Sequence, residues 1–146
     1  MTKLWIKTLL YECSNIYRRQ RNLESRLHSL ALYGGRQGAC AEEDCSAALE
    51  LHLRRGLLLA ALSALAAGMN LIGRSERVLL REFFIKRRTE REYLELTGLS
   101  LAEFRKKKRA ALDALARAMP AHALGGGVLD ALKQYDFIRA SLRRFE

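Results

Sequence analysis

The sequence predicts an all-α fold: a long antiparallel helical hairpin, then a compact helix-turn-helix unit, then a C-terminal helix. Three observations predict it. A single proline stands among 146 residues, in a chain rich in the helix formers Ala, Leu, Arg and Glu. Apolar residues recur at alternating steps of three and four over two long stretches. No stretch alternates apolar and polar residues among β-branched ones, so no strand is expected. A hydrophobic share of 49% beside 29% charged residues suits a folded chain with one modest core. The segments are 1–73, 74–119 and 120–146.

The first helix is expected from about Thr2 to Tyr33. Ile6, Leu9, Cys13, Ile16, Gln20, Leu23, Leu27 and Leu30 form a heptad seam interrupted only by Gln20. Gly34 and Gly35 suit its C-terminal end and Gly38 keeps the connection loose. Glu42, Glu43 and Asp44 favour the start of the next helix, because acidic groups complement the positive end of the helix dipole. That second helix, from about Asp44 to Ile72, repeats the seam with Leu51, Leu58, Leu62, Leu65, Met69 and Ile72, and places Arg55 in the missing slot. Two seams of similar length predict a hairpin in which each fully buried leucine contributes about 1.5–3 kcal/mol before ordering entropy is subtracted. The same heptads could also pair between two copies as a homodimer.

Within the second helix, "GLLLAALSALAAGMNLIG" (56–73) is uncharged and at the lower edge of spanning length. Its alanines, Ser63 and Asn70 make it weakly apolar, and a partner seam explains it better, so no membrane is expected.

Net charge is +10 with a pI near 10.0, which fits a polyanionic partner. Residues 1–33 carry six basic and two acidic groups, and 34–73 carry three and four. Residues 74–119 carry thirteen and seven, and 120–146 four and three. The excess therefore gathers in 74–119, where "TEREYLELTGLSLAEFRKKKR" (89–109) holds a run of five basic residues.

Ser75 is expected to cap a helix whose Val78, Leu79, Phe83 and Phe84 pack inward. Thr89 caps the next, with Glu92 completing a capping box, and Ser100 with Glu103 does the same again. Gly98 falls where the chain must turn sharply, a position suited to positive φ. Tyr93, Leu94, Leu99 and Phe104 can share a small core. The result is a short helix, a turn of about three residues and a second helix, the plan of a unit that inserts its second helix into the major groove. Its outer face would present Leu101, Ala102, Arg105, Lys106 and Arg109, although the basic run Arg105–Arg109 points all round the helix. Arg105 could pair bidentately with a guanine, and Lys106 or Arg109 could reach a base or a phosphate. Arg87, Arg88 and the N–H groups at Thr89 suit backbone phosphates. Beyond Pro120 and the glycines at 125–127, one amphipathic helix is expected, with Val128, Leu132, Tyr135, Ile138, Leu142 and Phe145 as its apolar stripe.

The stretch "SERVLLREFFIKRRTEREYLELTGLSLAEFRKKKRAALDALARAM" (75–119) resembles the fourth region of sigma-70-type factors. The span from about Arg18 to Met119 is similar in plan to small sigma-region-four-like regulators of phages and mobile elements, including the ArpU and RinA type. That resemblance implies promoter DNA as partner and contact with bacterial RNA polymerase. It places the recognition contacts on Leu101, Ala102, Arg105 and Lys106, with the cap at Ser100. Three positions depart from the family. Leu94 stands where a small residue is usual, Lys107 where an apolar one is, and Lys86–Arg88 in a turn that often contains glycine.

Two other functions fit the same features: a phage DNA-packaging protein of the small-terminase kind, and a helical protein-interaction module without DNA binding. An enzyme is not expected, since no Gly-rich phosphate loop, nucleophile elbow or HExxH occurs. His28, His52 and His122 are scattered. Cys40, Cys45 and His52 match no usual zinc spacing, so neither metal nor cofactor is expected. Three cysteines (Cys13, Cys40, Cys45) with no secretory core before them fit a reducing cytoplasm.

Overall fold

In the computed structural model of the chain, residues 2–33, 41–119, 124, 125 and 127–146 are described. Among them are seven α-helices: α1 (Lys3–Tyr33), α2 (Ala41–Leu71), α3 (Arg74–Leu80), α4 (Glu90–Thr97), α5 (Leu101–Ala118), α6 (Val128–Leu132) and α7 (Asp136–Phe145). A π-helical turn, Arg81–Ile85, continues α3. The described residues contain no strand, so the all-α class expected from the sequence is the class found. The expected glycine stop at 34–35, Cys40, Pro120 and His122 lie outside the described residues.

α1 and α2 are each 31 residues long and run in opposite directions. Glu24 of α1 meets Arg55 of α2 at 3.4 Å, while Cys13 and Tyr17, earlier in α1, share a groove with Ala66 and Met69, later in α2. The two seams face each other within one chain. Ile6, Leu9, Ile16 and Leu23 are buried on one side, and Leu51, Leu58, Leu65, Met69 and Ile72 on the other. The polar interruptions are absorbed differently: Gln20 is itself buried, whereas Arg55 turns to Glu24.

The first half of α1 is covered well beyond its seam. Trp5, Thr8, Leu10 and Glu12 are buried too, because α5, α7 and the π turn all pack on that half. Thr8 satisfies its hydroxyl by donating to the Leu4 carbonyl at 2.9 Å. The second half of α2 likewise has a further buried face of small residues, Ala61, Ala64 and Gly68. A Cβ on Gly68 would lie 2.6 Å from Met119 Cγ and 2.9 Å from Leu115 Cδ1. Glycine there lets α5 and the chain just after it approach the α2 backbone. By length and composition, Cys45–Leu71 is long and apolar enough to cross a membrane. In this structure α2 packs against α1, α5 and α6.

Three local expectations differ from what is found. α3 is capped by Gly73, not Ser75: its N–H donates to the Glu76 carboxylate at 3.1 Å, and Ser75 lies inside the first turn. The helix starts early because Arg77 reaches back to the carbonyls of Met69, at 2.8 Å, and Ile72, at 3.2 Å. Those bonds satisfy the end of α2 and pin α3 against it. Val78 is exposed and Leu80 buried instead. At about 100° per residue, Leu79, Leu80, Phe83 and Phe84 share one side and Val78 faces away from it. Finally, the C-terminal stretch is two helices. The last turn of α6 tightens through Lys133 N–H to Asp130 and Tyr135 N–H to Leu132, Tyr135 becomes extended at ψ 127, and Arg139 donates to the freed Lys133 carbonyl at 2.6 Å. The apolar stripe survives the break, with Leu132, Ile138 and Leu142 all buried. One hydrophobic core, from Trp5 to Leu142, draws on all three segments of the sequence.

Candidate nucleic-acid interface

Both capping boxes form. Thr89 Oγ1 accepts the Glu92 N–H at 3.2 Å while the Glu92 carboxylate accepts the Thr89 N–H at 3.4 Å. Ser100 Oγ accepts from Glu103 N–H at 3.2 Å, and the Glu103 carboxylate returns the bond to Ser100 N–H at 3.4 Å. Between them Gly98 takes φ 70, ψ 11, and its N–H closes α4 on the Leu94 carbonyl at 2.8 Å. Residues 98–100 therefore join α4 to α5, with glycine first. Leu94 and Leu99 are half-buried against the core.

An aromatic cluster lies beneath this turn. Phe104 stands 5.0 Å from both Phe83 and Tyr93, and Phe83 lies 6.1 Å from Tyr93, measured between ring centroids. Edge-on and tilted rings of this kind add packing specificity beyond buried area. Burial pushes the Tyr93 phenol above its ordinary pKa, and the nearby charge of Glu82 adds to the effect.

The cluster sorts the five basic residues of the run 105–109 on α5. Phe104, Ala111, Leu112 and Leu115 are buried. With about 100° between residues, Lys106 points away from them, and Ala102 and Arg109 lie to one side of it on the same outer face. Lys108 is turned inward, its ammonium 5.2 Å from the Phe104 ring centre and 5.3 Å from that of Phe83, a cation–π arrangement. It also lies 3.6 Å from Glu90, which Arg105 approaches at 3.8 Å. Lys107 lies at the α3 side, near Ser75 and Leu79. Among the described residues, Lys106, Lys107 and Arg109 take part in no ion pair. Leu101, Ala102, Arg105, Lys106 and Arg109 are all exposed, on one helix and following one capped turn.

Arg87, Arg88 and Thr89 are placed differently. Arg87 has φ 55; its guanidinium donates to the Tyr11 carbonyl at 3.1 and 3.0 Å, meets Glu12 at 3.2 Å and lies 3.9 Å from the Tyr11 ring centre. Arg88 bonds Glu82 at 3.1 Å, and Lys86 bonds the same carboxylate at 2.6 Å. The hydrogen bond from Lys86, followed by that from Arg88, holds Glu82 below the usual carboxylate range. The Thr89 N–H is occupied by Glu92. All three groups expected at phosphates thus have protein partners here.

Glu12 is the residue that sequence reasoning missed. Its buried carboxylate receives Asn15 at 2.6 Å, Arg87 at 3.2 Å and the Ser141 hydroxyl, tying α1 to the turn before α4 and to α7. Nothing local marks it, since its distant partners lie 75 and 129 positions away. Among the described residues no three His, Cys, Asp or Glu side chains converge as a metal ion would require. Cys45 is exposed, and burial raises the pKa of the half-buried Cys13 thiol. Compared with known protein families, curated proteins and solved structures, the chain matches none.

Proposed function

We propose that this protein is a non-enzymatic transcriptional regulator that binds promoter DNA through α5. One observation carries the reading: the outward face of α5 is cationic, has no ion pair at Lys106 or Arg109 among the described residues, and follows a three-residue turn capped on both sides. In the proposed complex the N-terminal end of α5 enters the major groove. Ala102 keeps the approach close, Leu101 offers an apolar contact to a thymine methyl, Arg105 pairs with a guanine, and Lys106 and Arg109 take bases or phosphates. The left-handed Arg87 lies in the turn where sigma-region-four-like regulators often carry glycine, which supports a likeness of backbone. From that likeness follow a phage or mobile-element setting, a cytoplasmic location and contact with bacterial RNA polymerase.

Fluorescence anisotropy with a labelled duplex library over a salt series tests the proposal. The wild type is expected to bind selectively, with log affinity falling by about 0.9 per neutralised phosphate per decade of salt. Arg105→Ala/Lys106→Ala is expected to lose that selectivity. Weak binding that the double variant leaves unchanged would sink the reading.

A second reading, a protein-interaction module, is favoured by one observation. Leu49 and Leu53 stand one turn apart on α2 and are 61% and 67% exposed. A module of this kind would show little or no salt-dependent DNA binding. A homodimer formed through these helices, or a ring of the small-terminase kind, would declare itself in the solution mass.

A further inference from the structure

At the end of the hairpin away from α5, the second half of α1, the first half of α2 and Tyr135 of the α6–α7 junction line an open pocket. Its volume is about 270 Å³, and its lining is Arg19, Asn22, Leu23, Arg26, Arg54 and Tyr135. Three of these six side chains are cationic and none is acidic. Among the described residues Arg19 and Arg26 form no ion pair, and Arg54 pairs only with Glu50 of its own helix.

Two further features distinguish the pocket from an ordinary basic surface. The Arg19 guanidinium is held in place by aromatic faces, 4.7 Å from the ring centre of Phe137 and 5.6 Å from that of Tyr135. A stacked, planar fork of donors is set for an oxyanion before one arrives. In addition, the Tyr135 hydroxyl is buried and has no hydrogen-bond partner among the described residues. Such an orphan is costly in a folded protein and calls for an explanation. Burial raises the phenol's pKa while the charges of Arg54 and Arg19 pull it down, so both guanidiniums act on this hydroxyl. What the pocket presents is almost entirely donors: guanidinium N–H groups, the Asn22 amide and the phenol O–H. The complementary ligand is an anion with several acceptor oxygens, and at the small end of the ligand-pocket range only a compact one fits.

The geometry points to a second site, independent of α5, in which Arg19, Arg54 and the Tyr135 hydroxyl, together with Arg26 and Asn22, hold a phosphate group. A small phosphate compound and a nucleic-acid backbone offer the same chemistry, and the test separates them.

Inorganic phosphate is titrated into the full chain by calorimetry and in thermal unfolding, against chloride at matched ionic strength. The wild type is expected to bind one phosphate saturably and to unfold at higher temperature in its presence. Arg19→Ala/Arg54→Ala and, separately, Tyr135→Phe should each weaken binding by about tenfold or more, the usual effect of removing hydrogen bonds to a charged group. Tyr135→Phe removes the orphan hydroxyl, so in phosphate-free buffer it should unfold at a higher temperature than the wild type. Arg18→Ala, on the exposed side of α1, should bind phosphate as the wild type does. If Arg19→Ala also weakens binding of a short duplex, the occupant is a nucleic-acid backbone; if duplex binding is untouched, it is a small phosphate compound. Absence of saturable phosphate binding, or binding equal in the wild type, the double variant and Tyr135→Phe, overturns the site. Neither result bears on Arg105 and Lys106, so this proposal and DNA reading by α5 fail separately.

Discussion

Residues 86–88 and residues 105–109 are both unbroken basic runs, and in the folded chain they are used in opposite ways. Every cation of the first run has a carboxylate: Lys86 and Arg88 share Glu82, and Arg87 reaches Glu12. In the second run, among the described residues, only Arg105 and Lys108 pair with one, the same Glu90, at 3.8 and 3.6 Å. The difference lies in what faces each run. The first is pressed against α1 and the π turn, which bring carboxylates to it. The second lies on a helix whose buried face is aromatic and apolar, so among the described residues its Lys106, Lys107 and Arg109 form no ion pair. Charge density alone therefore says little about a binding surface; the supply of internal counter-charges decides.

The largest expected effect breaks the first run. Arg87→Ala leaves the Glu12 carboxylate, whose side chain is 5% exposed, with only Asn15 and Ser141. It also puts alanine at a left-handed φ. A loss of about 3 kcal/mol is expected, near the low end for breaking a buried pair because the guanidinium side is open to water. Urea unfolding measures it, and Lys106→Ala, in the second run, should stay within about 0.5 kcal/mol of the wild type. Equal losses in the two variants would erase the distinction between the runs.

A smaller effect is expected at the helix that carries the second run. Ser100→Ala removes the acceptor for the Glu103 N–H and should cost about 1 kcal/mol. The loss should be concentrated in the first turn of α5, seen as faster amide exchange at Glu103 with little change in α1. If exchange quickens evenly across the chain, the cap is not what positions this face.

These two sites also mark how far the sequence could be read. Thr89, Gly98 and Ser100 were legible because a cap or a left-handed turn is decided by residues within a few positions, whose chemistry has few alternatives. The seams of α1 and α2 were legible for a related reason, since period alone selects a face. Gly73 was missed in favour of Ser75 because the start of α3 is set by Arg77 binding the end of the preceding helix. The break at 133–135 was missed because the apolar stripe continues across it. Arg87 and Arg88 looked like phosphate ligands because only the folded chain brings Glu12 and Tyr11 beside one and turns Glu82 toward the other. Arg105, Lys106 and Arg109 were placed on the outer face from spacing alone, which succeeds where one helix face is occupied by a Phe104–Leu112–Leu115 stripe.

The pH dependence of stability sharpens the comparison most finely, because it isolates counter-charge from packing. Glu82 is held below its ordinary value of 4.5 by the hydrogen bonds from Lys86 and Arg88. A carboxyl whose folded pKa is depressed contributes stability that is fully present above its unfolded value. That contribution is lost as pH falls through the lower, folded value. The first run should therefore weaken below about pH 4.5, while the second run, with few carboxylates near it, should add little to the slope. Asp113, held low chiefly by the hydrogen bond from Lys3, gives the wild type a similar acid limb. The informative quantity is thus the difference between the wild type and Glu82→Gln. The variant should have a shallower fall of unfolding temperature between pH 5 and pH 3 and a lower plateau near neutrality, where wild-type Glu82 is charged. Lys106→Ala should leave the wild-type profile in place. Superimposable profiles for Glu82→Gln and the wild type would mean that Lys86 and Arg88 lie near Glu82 without gaining from its charge, and the two runs would then differ in geometry alone.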